Sequence, residues 1–119
     1  MTIYQVNKHL SIVVLFLILT VGCTEAVKKD KDLNGKSIEF VKKKYGLPTS
    51  EKEFVLSKSL YEYQYGLLVF YPEPDGKNIH IIECVWDKKH KSTVIWFHMI
   101  EDKWVSLDNI TWNPDKVKF

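Results

Sequence analysis

Arginine is absent from this chain of 119 residues, in which each of the 17 basic side chains is a lysine. Arginine carries the planar guanidinium that contacts phosphates and guanine edges through two parallel hydrogen bonds, whereas lysine offers a hydrated point charge. The acidic residues number 15, so the formal net charge is only +2. A nucleic-acid-binding role is therefore not expected.

Glycine and cysteine are also scarce, with five and two residues. The sequence contains no Gly-rich phosphate loop, no Gly-x-Ser-x-Gly elbow, no His-Glu-x-x-His and no Cys-x-x-Cys. These absences predict a protein that is not an enzyme and that has no cofactor. Cys84 alternates with Ile82 and Trp86, which predicts a buried, inert thiol in preference to a reactive or metal-binding one.

The N-terminal segment indicates where the protein is sent. Lys8 and His9 precede an apolar run over residues 10–19, which is about half the length that a membrane-spanning helix needs. The run leads into Leu19-Thr20-Val21-Gly22-Cys23, which resembles the lipobox of bacterial lipoproteins. The resemblance implies that residues 1–22 are a lipoprotein signal peptide and that Cys23 receives acyl chains such as palmitate. An ordinary secretory signal beside a chance cysteine is the alternative.

The residues after Cys23 suggest a tether followed by one domain. Thr24, in place of the Asp that retains many lipoproteins at the inner membrane, favours the outer membrane by the same resemblance. Residues 24–32 are polar and of mixed charge, so we expect residues 23–33 to comprise the lipidated cysteine and a flexible linker. Residues 34–119 then suffice for a single domain.

A helix is predicted at the start of that domain, with Asn34 as a candidate N-cap and with Gly46 and Pro48 at its end. One face of this helix carries Ile38, Val41 and Tyr45. Strands are predicted over residues 61–71, where tyrosines alternate, over 79–86, 93–100 and 104–107, with turns between them. The expected fold is α+β, with one N-terminal helix packed on a four- to five-stranded antiparallel meander sheet.

Gly35, Ser37, Val41, Gly46 and Pro48 form the pattern Gly-x-Ser-x-x-x-Val-x-x-x-x-Gly-x-Pro. This pattern resembles the helix motif of the BamE (SmpA/OmlA) type of small outer-membrane lipoproteins. The resemblance implies a helix followed by an antiparallel sheet and a place in the bacterial envelope. The chain differs in its longer, more aromatic sheet region and in lacking a convincing second helix, so a role in assembling β-barrel proteins is not carried over.

Aromatic residues concentrate in the predicted sheet, and they could either fill its core or present a binding surface to a protein, a glycan or a lipid. The candidates for that surface are Tyr61, Tyr63, Tyr65, Trp86, Trp96 and Trp104. One helix can cover only one face of the sheet. An envelope protein or a second copy of the chain is therefore expected on the other face.

His80 and His98 are the weak candidate for a metal site. A β-hairpin whose loop is Lys88-Lys89-His90 would place the two imidazoles opposite each other, but a third ligand is not evident from the sequence. A loop one residue longer or shorter would put them on opposite faces. No metal site is otherwise predicted.

Together these features predict a membrane-anchored bacterial envelope lipoprotein with a non-catalytic binding or structural role, acting through an aromatic-rich sheet. Its partners would be the membrane, through the acyl chains on Cys23, and an envelope protein or a second copy. A small inhibitor or immunity-type protein that binds and blocks an enzyme is the alternative. An enzyme that uses scattered Asp, Glu and His side chains is a further one.

Overall fold

The computed structural model describes residues 26–119, so Cys23 and the predicted signal peptide lie outside the described residues. The described part has an α+β fold with a five-stranded antiparallel sheet, which confirms the predicted class and the antiparallel sheet. It has two helices, whereas one was predicted. The strands are β1 (Val27–Lys28), β2 (Ser50–Val55), β3 (His80–Lys88), β4 (Lys91–Ile100) and β5 (Lys103–Trp112). The helices are α1 (Ile38–Tyr45) and α2 (Leu67–Phe70), and short 3-10 turns cover Lys31–Leu33 and Glu62–Gln64.

The sheet has the strand order β1-β5-β4-β3-β2. Two tight turns set the register of its three long strands. Lys88 pairs with Lys91, so Lys89 and His90 alone form the loop between β3 and β4. Glu101 and Asp102 connect β4 to β5 with φ values of 49° and 64°, the left-handed pair that suits the twist of a two-residue hairpin turn.

Alternating side chains along the strands build a hydrophobic cluster on each face of the sheet. On the face that carries α1, here called the α1 face, the cluster comprises Leu33, Ile38, Val41, Ile82, Cys84, Trp86, Ile95 and Phe97. On the opposite face, the α2 face, it comprises Leu56, Leu67, Ile81, Val94, Trp96, Leu107 and Ile110. Helix and sheet residues thus share a core on both faces.

Helix α1 begins later than the sequence predicted. Ser37, and not Asn34, is its N-cap, and the Ser37 hydroxyl accepts a hydrogen bond from the Phe40 amide at 3.1 Å. The helix ends where it was predicted to end. Gly46 follows it with φ +83°, a backbone conformation that residues with a Cβ atom rarely adopt.

The predicted strand over residues 61–71 is wrong. This segment forms the 3-10 turn Glu62–Gln64 and helix α2, and β2 occupies the edge of the sheet beside β3. Gln64 makes the turn stable, because its side-chain oxygen accepts a hydrogen bond from the Tyr61 amide at 3.1 Å and its side chain is buried.

The second face of the sheet was expected to need a partner, but the chain itself packs residues on it. Leu56 and Leu67, in the segment between β2 and β3, are 1% and 0% exposed and belong to the α2-face cluster. A groove remains at the end of this face near the β3–β4 hairpin, as described below.

Part of the expected linker also belongs to the fold. Val27 and Lys28 pair with β5, and Leu33 is buried in the α1-face cluster. The buried Asn109 side chain accepts a hydrogen bond from the Asp30 amide at 2.9 Å and donates one to the Asp30 carbonyl at 2.7 Å. The polar composition of this segment indicated flexibility, yet its backbone finds hydrogen-bond partners in β5.

Candidate functional site: an aromatic groove at the hairpin end of the sheet

The aromatic residues expected to share one surface lie in different places. Trp86 is buried on the α1 face, where its indole N–H donates to the Gly46 carbonyl at 3.1 Å. Trp96 is buried on the α2 face, and Trp104 is partly buried beside the α1-face cluster. Of the tyrosines, Tyr61 and Tyr65 are 69% and 55% exposed. The six side chains therefore do not form one continuous surface.

A smaller group of aromatic side chains does come together, on the α2 face near the β3–β4 hairpin. The aromatic groove, as we call it, has a volume of about 430 Å³ and is lined by Tyr61, Tyr63, Trp112 and Phe119, with Val85 and Val94 among the strand residues. Tyr63 is contributed by the 3-10 turn, Tyr61 by the residue that caps it, Trp112 by the end of β5 and Phe119 by the C-terminus. Apolar and aromatic lining of this kind suits binding to another molecule.

The aromatic rings of the groove hold one another in place. Tyr61 and Tyr63 are stacked, with ring centroids 6.2 Å apart and an interplanar angle of 8°. Phe119 lies 6.0 Å from Tyr63 and makes an edge-on contact with Trp112 at 5.2 Å. Such pairs contribute about 0.5–1.5 kcal/mol each beyond the area they bury. They give the groove a defined shape without a bound molecule.

Glu83 lies beneath these rings, in the middle of β3, and is 2% exposed. Its Oε1 accepts hydrogen bonds from the Gln64 amide at 2.8 Å and the Trp96 indole N–H at 2.9 Å. Its Oε2 accepts one from the Tyr63 hydroxyl at 3.1 Å and lies 3.4 Å from Lys52 Nζ. Donors to both oxygens thus replace the water that the carboxylate loses on burial.

This network fixes Tyr63 in the wall of the groove. Burial raises the pKa of the Tyr63 hydroxyl well above its usual value, and the negative charge of Glu83 adds to the effect. The hydroxyl therefore stays protonated and keeps donating to Glu83 across the physiological pH range. Glu83 itself is enclosed and engaged by donors, so its role is to position Tyr63 and Trp96.

Among the charged residues at the groove, Glu62, Asp87 and Lys118 line it, and Lys52 lies next to its rings. Its Nζ lies 6.0 Å from the Tyr61 ring centroid and 5.8 Å from that of Phe54, within the range of cation–π attraction. About half of its side-chain surface is exposed. The rim of the groove thus combines an aromatic surface with a partly shielded positive charge.

The expected pairing of His80 with His98 is wrong. Because the β3–β4 loop has two residues and not three, His98 pairs with Ile81, and the two histidines lie on opposite faces. His80 contacts Glu53 at 2.9 Å, while His98 Nδ1 lies 2.7 Å from the Tyr71 hydroxyl and burial lowers the pKa of His98. Between residues 26 and 119 no group of three His, Cys, Asp or Glu side chains could hold a metal ion.

Cys84 is fully buried in the α1-face cluster, and its thiol lies 3.5 Å from Glu51 Oε1. Burial and the nearby Glu51 carboxylate raise the pKa of the thiol to about 12. Since the thiolate is the reactive form, this environment makes Cys84 inert toward oxidants and electrophiles.

Comparisons with protein-family models, with curated proteins and with solved structures found no match to this chain. No helix within residues 26–119 is long and apolar enough to cross a membrane. The proposals that follow therefore depend on the sequence and on the geometry of the described residues.

Two parts of the groove were missed from the sequence. Glu83 lies inside the apolar run Ile81-Ile82-Glu83-Cys84-Val85. An acidic residue in a strand that is buried on both faces needs hydrogen-bond partners, and this pattern could have identified Glu83 from the sequence. Phe119 joins the groove only because the turn after β5 folds the C-terminus back, with the Val117 amide donating to the Asn113 carbonyl at 3.0 Å. No local pattern in the sequence indicates that return.

Proposed function

We propose that this protein is a bacterial envelope lipoprotein, held at the membrane by acyl chains on Cys23, whose domain binds a partner and catalyses no reaction. The lipobox-like sequence that ends at Cys23 supports the anchor, and Thr24 favours the outer membrane. The helix motif shared with the BamE type of lipoprotein supports the envelope context, with α1 as the helix that packs on the sheet at the start of the domain.

The aromatic groove carries the binding part of the proposal. At this end of the α2 face, Tyr61 and Phe119 are 69% and 50% exposed beside the partly buried Tyr63 and Trp112. Exposing large aromatic rings to water costs free energy, and so does burying the Glu83 carboxylate that fixes Tyr63. A binding role for the groove would explain why both costs are retained. An envelope protein that inserts an apolar side chain between these rings is the partner we propose.

Photo-cross-linking in living bacteria tests this. A photoreactive benzoyl-phenylalanine replaces Tyr61 in one variant and Leu47, which is 87% exposed and outside the groove, in the control. We expect an adduct with one envelope protein from position 61 and none from position 47. Adducts from both positions alike, or from neither, would overturn the groove as a binding surface. A soluble enzyme captured at position 61 would favour the inhibitor alternative.

The anchor is tested separately by the mass of the N-terminal peptide of protein purified from bacterial membranes. We expect an acylated Cys23 at the new N-terminus, and we expect the Cys23→Ala variant to lack acyl chains. An unmodified N-terminus in the parent protein would show that the lipoprotein assignment is wrong, whatever the cross-linking shows.

A further inference from the structure

A second groove lies on the opposite, α1 face of the sheet, at the same hairpin end. The basic groove, as we call it, has a volume of about 780 Å³. Thr93 and Thr111, on adjacent strands, line it, and Tyr45 at the end of α1 lines it from the helix. Helix α1 ends before it reaches this part of the sheet, which is why the space is open.

Lysines surround this groove. Lys28, Lys91 and Lys116 line it, and Lys88 projects beside it as the register partner of Lys91. None of these four forms a salt bridge with a carboxylate among the described residues, whereas Lys29, which also lines the groove, is paired with Asp108 at 3.0 Å. Ammonium groups that surround one groove repel each other, and an anion between them would relieve the repulsion.

The acids near the groove do not neutralise these lysines. The Asp30 carboxylate lines the groove and accepts a hydrogen bond from the Asp32 amide at 3.0 Å, which keeps it at the cap of the first 3-10 turn. Asp115 lies 2.5 Å from His90. The balance of charge around the groove therefore remains positive.

The threonines add a donor that is still unused. Thr93 and Thr111 share a single hydrogen bond, with their hydroxyl oxygens 3.1 Å apart. Each hydroxyl carries one proton, so the pair has a second O–H that makes no other side-chain hydrogen bond within residues 26–119. That O–H and the surrounding ammonium groups together form the donor set that a phosphate oxygen requires.

The position of the groove along the chain favours one source of that phosphate. Ala26 lines the groove, and Cys23 precedes it by three residues, which span at most about 11 Å when fully extended. A chain that carries acyl groups at Cys23 would hold the groove next to the headgroup layer. There the lysines meet the anionic lipids at their highest local concentration.

We propose that the basic groove binds the phosphate of an anionic phospholipid headgroup in the membrane to which the protein is anchored. This inference builds on the proposed lipoprotein function. The groove orients the domain, so that the α1 face is turned toward the bilayer and the aromatic groove on the opposite face is turned away from it.

The test is calorimetric titration of the full protein, purified from bacterial membranes in a neutral detergent. The probes are dihexanoyl phosphatidic acid, whose headgroup is a bare phosphate, dihexanoyl phosphatidylcholine and inorganic phosphate. We expect phosphatidic acid to bind tightest. The Lys28→Gln/Lys91→Gln variant should weaken that binding at least about tenfold, since a lysine near an anionic surface contributes about fivefold.

Matched and conservative variants make the result specific. Lys77→Gln/Lys103→Gln removes the same charge from exposed positions at the far end of the sheet, one in a turn and one at the start of β5. This variant should bind phosphatidic acid as the parent does. Thr111→Val keeps the volume of a half-buried side chain and removes a hydroxyl, and it should weaken the binding of both phosphatidic acid and phosphate. Thermal unfolding of each variant checks that the fold is intact.

Equal loss in both lysine pairs would overturn the groove as the site, and so would the absence of any preference for phosphatidic acid over phosphatidylcholine. Phosphate that binds as tightly as phosphatidic acid would overturn the membrane as its source. The N-terminal mass of the same sample separates this proposal from the anchor. An acylated protein without lipid preference refutes the groove alone, and an unacylated protein with that preference refutes the anchor alone.

Discussion

A carboxylate in the middle of a sheet is tolerated only when hydrogen-bond donors replace the water that it loses on burial. At Glu83 one of these donors, Tyr63, is also a side chain of the aromatic groove. The donors come from three parts of the chain: Gln64 and Tyr63 in the 3-10 turn, Trp96 in β4 and Lys52 in β2. One side chain thereby ties the segment that covers the α2 face to the sheet beneath it. The same contacts fix the ring of Tyr63 in the wall of the groove.

We expect Glu83→Ala to destabilise the domain by about 3 kcal/mol or more, because it leaves the buried Trp96 indole and Gln64 amide without an acceptor. Denaturant unfolding of both proteins measures the change. Glu62→Ala is the matched control, since Glu62 is exposed in the same region and its loss should cost less than about 0.5 kcal/mol. Comparable losses at the two positions would contradict the role given to Glu83.

At the scale of the element, the sequence predicted two of the three long strands well. It ended the third, β5, at residue 107, whereas that strand continues to Trp112, and it predicted short or polar elements poorly. Strands β3 and β4 were predicted within two residues of their ends, since apolar residues run between clear turn signals. Strand β2 was missed because Ser50-Glu51-Lys52-Glu53 is polar, as befits an edge strand that is mostly exposed. The alternating tyrosines of residues 61–65 suggested a strand instead. They cannot pair with the free edge of β3, because β2 pairs with it, and the hydrogen bond between Gln64 and Tyr61 stabilises a turn.

Helix α1 has only eight residues, too few to be stable without its caps and its packing. We expect Ser37→Ala to destabilise the domain by about 1 kcal/mol, because the Phe40 amide loses its acceptor. Thermal or denaturant unfolding measures the change. Ser59→Ala, at an exposed serine outside the helix, serves as the control and should be close to neutral. An unchanged stability in Ser37→Ala would show that packing alone holds the helix in place.

At the scale of the whole molecule, the two grooves lie at one end of the sheet on opposite faces. The chain enters beside the basic groove through Ala26 and ends in the aromatic groove at Phe119. An anchor at Cys23 would thus orient the domain through a short segment. Such an anchor would fix the orientation of the domain only if the residues that follow it are attached to the sheet. From Val27 onward, β1 pairing and the hydrogen bonds of Asn109 provide this attachment.

Asn109 joins residues 26–33, here called the entry segment, to β5 through its side chain. Its side chain is 2% exposed, and it bonds both backbone groups of Asp30 as well as Asn34 Oδ1 at 3.2 Å. We expect Asn109→Ala to release the entry segment and to raise the rate of trypsin cleavage after Lys28, Lys29 or Lys31 about tenfold or more. Lowering the free energy of local opening by about 1.4 kcal/mol raises the cleavage rate tenfold. Mass spectrometry of the early fragments identifies the cut.

Asn113→Ala is the reciprocal control for that cleavage. The Asn113 side chain accepts a hydrogen bond from the Asp115 amide at 2.9 Å, in the turn that returns the C-terminus to the aromatic groove. Its loss should expose Lys116 and Lys118 to trypsin and leave the entry segment as slow to cut as in the parent. If the entry segment of Asn109→Ala were cut no faster than that of the parent, residues 26–33 would have to be held by β1 and Leu33 alone. Each variant thus loosens one end of the chain, and the sites of cleavage show which contacts hold that end to the domain.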